Sequence, residues 1–216
     1  MIKRIGLIST LVGALVLLLV ACGGSSGGDD KKSNAKPVDA SVTEVRNAFK
    51  NLAKVKAVRA DITAQQIGAN GQVANSVFKY DFVPPDRYQL TSATGGISRV
   101  VNGDLYAFAN NVWMKLPEYS GKDYEGFDHF FNPKFMDELA NEIGVSATVE
   151  KKATDTINGK TCQAYVLTVV STGNLTDICI AENYPLRIVY HTGKLDTTAV
   201  FSDFNGNIVI DRPAVQ

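Results

Sequence analysis

The sequence predicts an α+β chain that is mainly antiparallel β. About ten or eleven short strands and two amphipathic helices are expected, with the sheet curling into a half-open barrel and the helices set against its open side. Three observations lead there. Between Val77 and Leu116, aromatic and branched residues alternate with polar ones: Phe78, Tyr80 and Phe82 enclose Lys79 and Asp81, Tyr88 and Leu90 stand two apart, and so do Tyr106 and Phe108. A period of two marks strands with one buried face. Asn-Gly pairs at positions 70, 102, 158 and 205 all fall between strand-like runs, the composition of two-residue hairpin turns. Helical periodicity occurs in only two places in the folded part, too few to cover both faces of a long meander.

The chain opens with a leader. Lys3 and Arg4 precede an apolar run from Ile5 to Val20, which is shorter than the ~20 residues a membrane-crossing helix needs. Leu19-Val20-Ala21-Cys22 is similar to the bacterial lipobox. Residues 1–21 are therefore expected to be a lipoprotein signal peptide, with Cys22 the lipidated residue that anchors the mature protein outside the cytoplasm on a bacterial cell membrane. A plain secretory signal is the alternative. Residues 22–36 form a Gly-, Ser- and Asp-rich linker with no apolar cluster to bury. Residues 37–216 have the size of one domain.

Within that domain, Ser41-Val42-Thr43-Glu44 reads as a capping box. Val42, Val45, Phe49 and Leu52 behind it give a helix of about three to four turns. A first strand covers Val58 to Ala64. After the aromatic meander, Pro117 to Phe131 is a polar loop rich in rings, either a gate over a ligand or a staple for the next helix. Asn132-Pro133 starts that helix and Gly144 stops it, with Phe135, Met136, Leu139 and Ile143 on one face. Strands resume at Thr148–Lys152, Thr161–Val170, Leu175–Ala181, Leu186–His191 and Leu195–Phe201. A last strand is expected at Asn207–Asp211 after the turn at Asn205-Gly206.

Charge excludes one class of partner. The chain has 22 basic and 22 acidic residues, and losing Lys3 and Arg4 with the leader leaves 20 against 22. With no basic stripe, nucleic acid is not an expected partner. With Cys22 used by the lipobox, Cys162 and Cys179 remain, on strands joined by a hairpin. In an oxidising compartment they form a candidate disulfide, the alternative being two buried thiols. No catalytic residue, metal site or cofactor is expected. His129, in the aromatic loop, and His191, at a strand end, read as surface or turn histidines rather than bases, and the sequence carries no Gly-x-Ser-x-Gly elbow, no HExxH helix, no phosphate loop and no zinc spacing.

Several phrases recur in a familiar order. They are the helix end running into a strand (Leu52 to Ala60), Pro85 to Tyr88, Asn102 to Tyr106, Trp113 to Lys115, Asn158 to Leu167, Tyr184 to Ile188, and Phe201 to Ala214. In that order, over nearly the whole mature chain, the sequence resembles the LppX/LprAFG lipoproteins of the LolA/LolB-like superfamily. The resemblance implies an eleven-stranded half-barrel with a helical lid and binding of a lipid or acylated ligand. It implies no catalytic residues.

The candidate lining of an apolar cavity is Phe78, Tyr80, Phe82, Tyr88, Leu90, Tyr106, Phe108, Phe135, Met136 and Leu139. Such a stripe is most often plain core, and only a void behind it would make it a site. The expected function is thus a membrane-anchored carrier of lipid, glycolipid or lipoprotein. A partner lipoprotein or transporter is a further expected contact. The competing reading is a non-enzymatic surface lipoprotein with a filled core that acts as an interaction or sensor module. An open pocket of roughly several hundred Å³ would separate the two.

Overall fold

The computed structural model describes residues 39–67, 72–120, 133–170, 173, 175–191 and 195–215. The leader, Cys22, the linker, the Asn70-Gly71 turn, and most of the aromatic loop with His129 lie outside them. Among the described residues no helix is long and apolar enough to cross a membrane.

Helix α1 (Ala40–Leu52) opens the fold. Its cap is Asp39, whose Oδ1 accepts a hydrogen bond from the Ser41 amide at 2.8 Å. The capping box expected at Ser41 is therefore displaced by two residues. Asp39 is an equally good cap, and Glu44 instead accepts a hydrogen bond from the Tyr165 hydroxyl. The predicted apolar stripe holds: Val42, Val45, Phe49 and Leu52 are all buried, joined by Ala48.

Eleven strands follow: β1 (Val58–Ile67), β2 (Val73–Val83), β3 (Arg87–Ser92), β4 (Ile97–Val101), β5 (Asp104–Ala109), β6 (Val112–Ser120), then, after helix α2 (Pro133–Glu142), β7 (Ala147–Ile157), β8 (Lys160–Val169), β9 (Leu175–Ala181), β10 (Tyr184–His191) and β11 (Leu195–Ser202). They make one antiparallel sheet in the order β6-β5-β4-β3-β2-β1-β11-β10-β9-β8-β7. The sheet consists of two meanders joined where the first strand pairs with the last. Phe201 sits opposite Ala60 and Ala199 opposite Ile62 at that seam. The outermost strands, β6 and β7, do not pair with each other, so the barrel stays half open. Both edges are blunted against further pairing, β6 by Pro117 and β7 by Lys151-Lys152 at an irregularity in its ladder.

Two Asn-Gly pairs make the hairpins predicted for them. Asn102-Gly103 has φ of 53° and 81°, and Asn158-Gly159 has 50° and 78°, the double positive φ that lets a two-residue turn match strand twist. Asn205 also turns the chain, but the strand expected at Asn207–Asp211 does not form. That segment lies across the outer face of the sheet without a ladder. Ile208 and Ile210 pack on Val83, Val101, Tyr106 and Trp113. The Asp211 carbonyl accepts a hydrogen bond from Arg99 at 2.6 Å.

The main core lies between the concave face of the sheet and the two helices. α1 packs against β7, β10 and α2. The helix pair meets closely at the end of α2. Gly144 has φ of 80°, and a Cβ there would come within 2.6 Å of Val42 Cγ1. Arg46 Nε donates to the Ile143 carbonyl at 2.6 Å, satisfying a helix-end acceptor.

Candidate functional site

The concave face of β2 to β6 is the candidate site, and register decides which side chains form it. Tyr80 sits opposite Leu90 and Phe82 opposite Tyr88; Leu90 then faces Ser98, and Tyr88 faces Val100. Val100 in turn meets Leu105, Ser98 meets Ala107, and Ala107 meets Met114. The rings of Tyr80 and Tyr88 lie 5.8 Å apart, and those of Tyr80 and Phe82 6.3 Å apart.

Seven of the ten expected lining residues gather in this one cluster. Tyr80, Phe82, Tyr88, Leu90 and Met136 are buried in it, and Phe78 and Leu139 pack on it partly exposed. Phe135 belongs to α2, but its side chain lies outside the described residues.

Tyr106 and Phe108 are placed elsewhere. They point to the opposite, convex face, where Tyr106 is opposite Arg99 and Lys115, and Phe108 lies 5.3 Å from Trp113. The concave side of β5 is carried by Leu105 and Ala107. The two sets alternate along one strand, and ring size favours the wrong one. The chain exit around Ile210 makes the convex face a second apolar contact, so large rings have a place there too. Following the register out from Tyr88 is the signal that finds Leu105 and Val100.

Burial falls off along this face. Tyr80 is fully buried, whereas Met114 at the β6 edge is 41% exposed, with Ser98, Ala107 and Leu116 half-buried beside it. The apolar floor thus runs from under the helices to an exposed flank. Polar chemistry is sparse. On the helix side, burial and the Glu44 carboxylate hold the Tyr165 phenol well above the ordinary tyrosine range, so it stays a hydrogen-bond donor. Among the described residues no group of three or more His, Cys, Asp or Glu is placed to hold a metal.

The convex face carries the charge. Lys115 Nζ lies 2.7 Å from Asp104 and, hydrogen-bonded to it, holds its carboxyl below the usual carboxylate range. The Arg99 guanidinium lies over the Trp113 ring at 4.7 Å. Cys162 and Cys179 form a disulfide between β8 and β9 with a Cα separation of 5.5 Å. It packs with Leu186 in a cluster separate from the main core. His191 stands between two carboxylates, with Nδ1 3.1 Å from Asp196 and Nε2 3.3 Å from Asp177.

A single-sheet half-barrel of eleven antiparallel strands, with a helix pair on its concave face, is the class this architecture defines. Among the solved structures similar to this chain are two from mycobacteria. The Mycobacterium tuberculosis lipoprotein LppX matches with a TM-score of 0.51 at 13% identity, over 80% of this chain and 98% of its own. LprF from Mycobacterium bovis matches with a TM-score of 0.59 at 11% identity, over 81% and 97%. The chain therefore shares the fold of LppX and LprF. No protein-family model and no curated protein matches the sequence.

Proposed function

We propose that the protein is an extracytoplasmic lipoprotein, anchored through diacylated Cys22, that binds the acyl chains of a lipid or acylated ligand on the concave face of its half-barrel. The observation that carries this reading is the mostly apolar floor of β2 to β6, which the register carries from buried Tyr80 through Leu90, Ser98 and Ala107 to the exposed Met114. A chain of methylenes laid along such a floor gains about 0.8 kcal/mol for each one removed from water, with no cofactor and no directional chemistry. The fold shared with the lipoprotein LppX supports the same reading. Carriage of a lipid, glycolipid or lipoprotein between membranes or partners follows if that binding is reversible. Two acyl chains at Cys22 hold a protein to a bilayer firmly where one does not.

A second reading has its own support. Tyr80, Phe82 and Tyr88 are at most 3% exposed, as in an ordinary filled core. On that reading the half-barrel is an anchored interaction module. Native mass spectrometry of the protein after mild extraction, joined to titration with a fluorescent fatty-acid probe, separates the two. Co-purified lipid and saturable probe binding are expected. A ligand-free mass with no probe binding rejects the carrier.

A further inference from the structure

The concave face changes character toward one end. One row across it is apolar: Phe78 on β2, Ile62 on β1, Ala199 on β11, Ile188 on β10 and Ile178 on β9, each opposite the next. Two residues along each strand, and so on the same face, the next row reads Ser76, Ala64, Thr197, Tyr190 and Thr176. Four of these five carry a hydroxyl and none carries a charge. The Tyr190 hydroxyl is hydrogen-bonded to Thr176, which is 7% exposed, and the Tyr190 ring packs on the main core. That pair closes one end of the row. Ser76 and Thr197 are half-buried, and neither has a side-chain hydrogen bond among the described residues. They flank Ala64, whose methyl group makes a low saddle between them. Two strand spacings set the flanking residues about 9–10 Å apart. A hydrogen bond of about 2.8 Å from each side leaves about 4 Å, the reach of a glyceryl or ester group.

Charge is kept off this row. His191, Asp177 and Asp196 share this end of the sheet, but alternation puts them on the convex face, where the imidazole joins the two carboxylates. Glu142 accepts from Ser146, Asp39 caps α1, and Arg46 donates to the Ile143 carbonyl. Methylenes laid against the hydroxyls would strip them of water and return no hydrogen bond. A carboxylate or phosphate there would lose water without gaining a cation. An uncharged head with hydrogen-bonding oxygens meets neither penalty. We propose that this row is the head-group subsite of the acyl-binding face. It takes an uncharged head, such as a glyceryl ester, ahead of an anionic one, and the tail runs from Phe78 toward the floor at Tyr80. The inference rests on the acyl-binding reading of the concave face and adds the residues that choose among its ligands.

The test is displacement of the fluorescent fatty-acid probe at pH 8, where a carboxylate is ionised. Monopalmitoylglycerol and hexadecanoate compete for the protein; they share a tail and differ in head charge. The glyceride is expected to act at about one tenth of the fatty-acid concentration. In the double substitution Ser76→Ala, Thr197→Val that advantage is expected to vanish through weaker glyceride binding, with hexadecanoate binding unchanged. Thr197→Ser, which keeps a hydroxyl, is expected to retain most of it. Thr198→Val, on the convex face of the same strand, is expected to match the parent. Equal displacement by the two lipids in the parent, or an advantage that survives the double substitution, overturns the subsite while probe binding upholds the carrier. A loss that falls alike on both lipids marks a structural role for the hydroxyls and also overturns it. No probe binding in the parent rejects the carrier, and the subsite with it.

Discussion

The two halves of the sheet are held by different means. The β7–β11 half lies under α1, is tied to it by Tyr165 and Glu44, and is cross-linked on its outer side by Cys162–Cys179. The β2–β6 half has no such staple among the described residues. Its outer side is held by the segment around Ile210 and by Arg99 and Arg212, and its concave side is a floor of rings and small residues ending at an exposed methionine. The difference teaches where adaptation is cheap. A half fixed by a covalent bond and a helix supplies the frame. A half whose concave contacts are apolar and non-directional is the one that, on the proposed function, exchanges its own packing for a ligand's.

The largest effect is expected from the adaptable half. Phe82→Ala removes a ring that is 3% exposed and costs about 3–5 kcal/mol in urea unfolding. If this face accepts acyl chains, saturating hexadecanoate restores part of that loss, because a ligand that binds only the folded state adds stability by mass action. Failure of the fatty acid to stabilise either protein breaks the proposed division of labour. Next comes the frame. Replacing both Cys162 and Cys179 by Ser opens a link between residues 17 apart. About 3 kcal/mol of stability is expected to go with it. Fatty-acid probe affinity should be unchanged, since the bond lies outside the main core. A tenfold change in affinity would show that the halves act as one.

The helix joint is expected to respond less. Gly144→Ala places a Cβ on a residue with φ of 80° and 2.6 Å from Val42 Cγ1, so that Val42 must rotate or α1 must back away. A loss of about 2 kcal/mol is expected, combining left-handed backbone strain with overpacking. The same urea midpoints measure it. An unchanged midpoint would mean that α2 is not held against α1 in solution.

Much of this fold can be read from the residues because its signals are local. Alternation and the turns at Asn102-Gly103 and Asn158-Gly159 depend on neighbours a few positions away, and they place the meanders. The features that escape such reading depend on distant partners. Nothing near Tyr106 says that Ile210 will cover the convex face and make room there for a ring, so alternation alone cannot choose between Leu105 and Tyr106. The segment 207–211 has strand composition, but its neighbours' ladders are already filled, since β11 pairs with β1 and β10. Asp39 displaces Ser41 as cap because two acceptable caps stand two residues apart, and Glu44 has a partner in Tyr165 that no local rule reveals.

The smallest expected effect belongs to the frame and depends on pH. Burial lowers the pKa of His191, but hydrogen bonds to Asp177 and Asp196, and the charges of both, outweigh it and leave the value raised. A folded pKa above the unfolded one of about 6.5 means that protonated His191 stabilises the native state. That contribution is fully present below the unfolded value and disappears as pH rises through the folded one. His191→Gln should therefore melt below the parent protein near pH 5.5 and together with it near pH 8.5. Because the side chain is 35% exposed, solvent screens the pair and the gap stays under about 1 kcal/mol. Melting curves across that pH range check the sign. A gap that widens toward high pH would show that neutral imidazole, not its cation, is the form the two carboxylates hold.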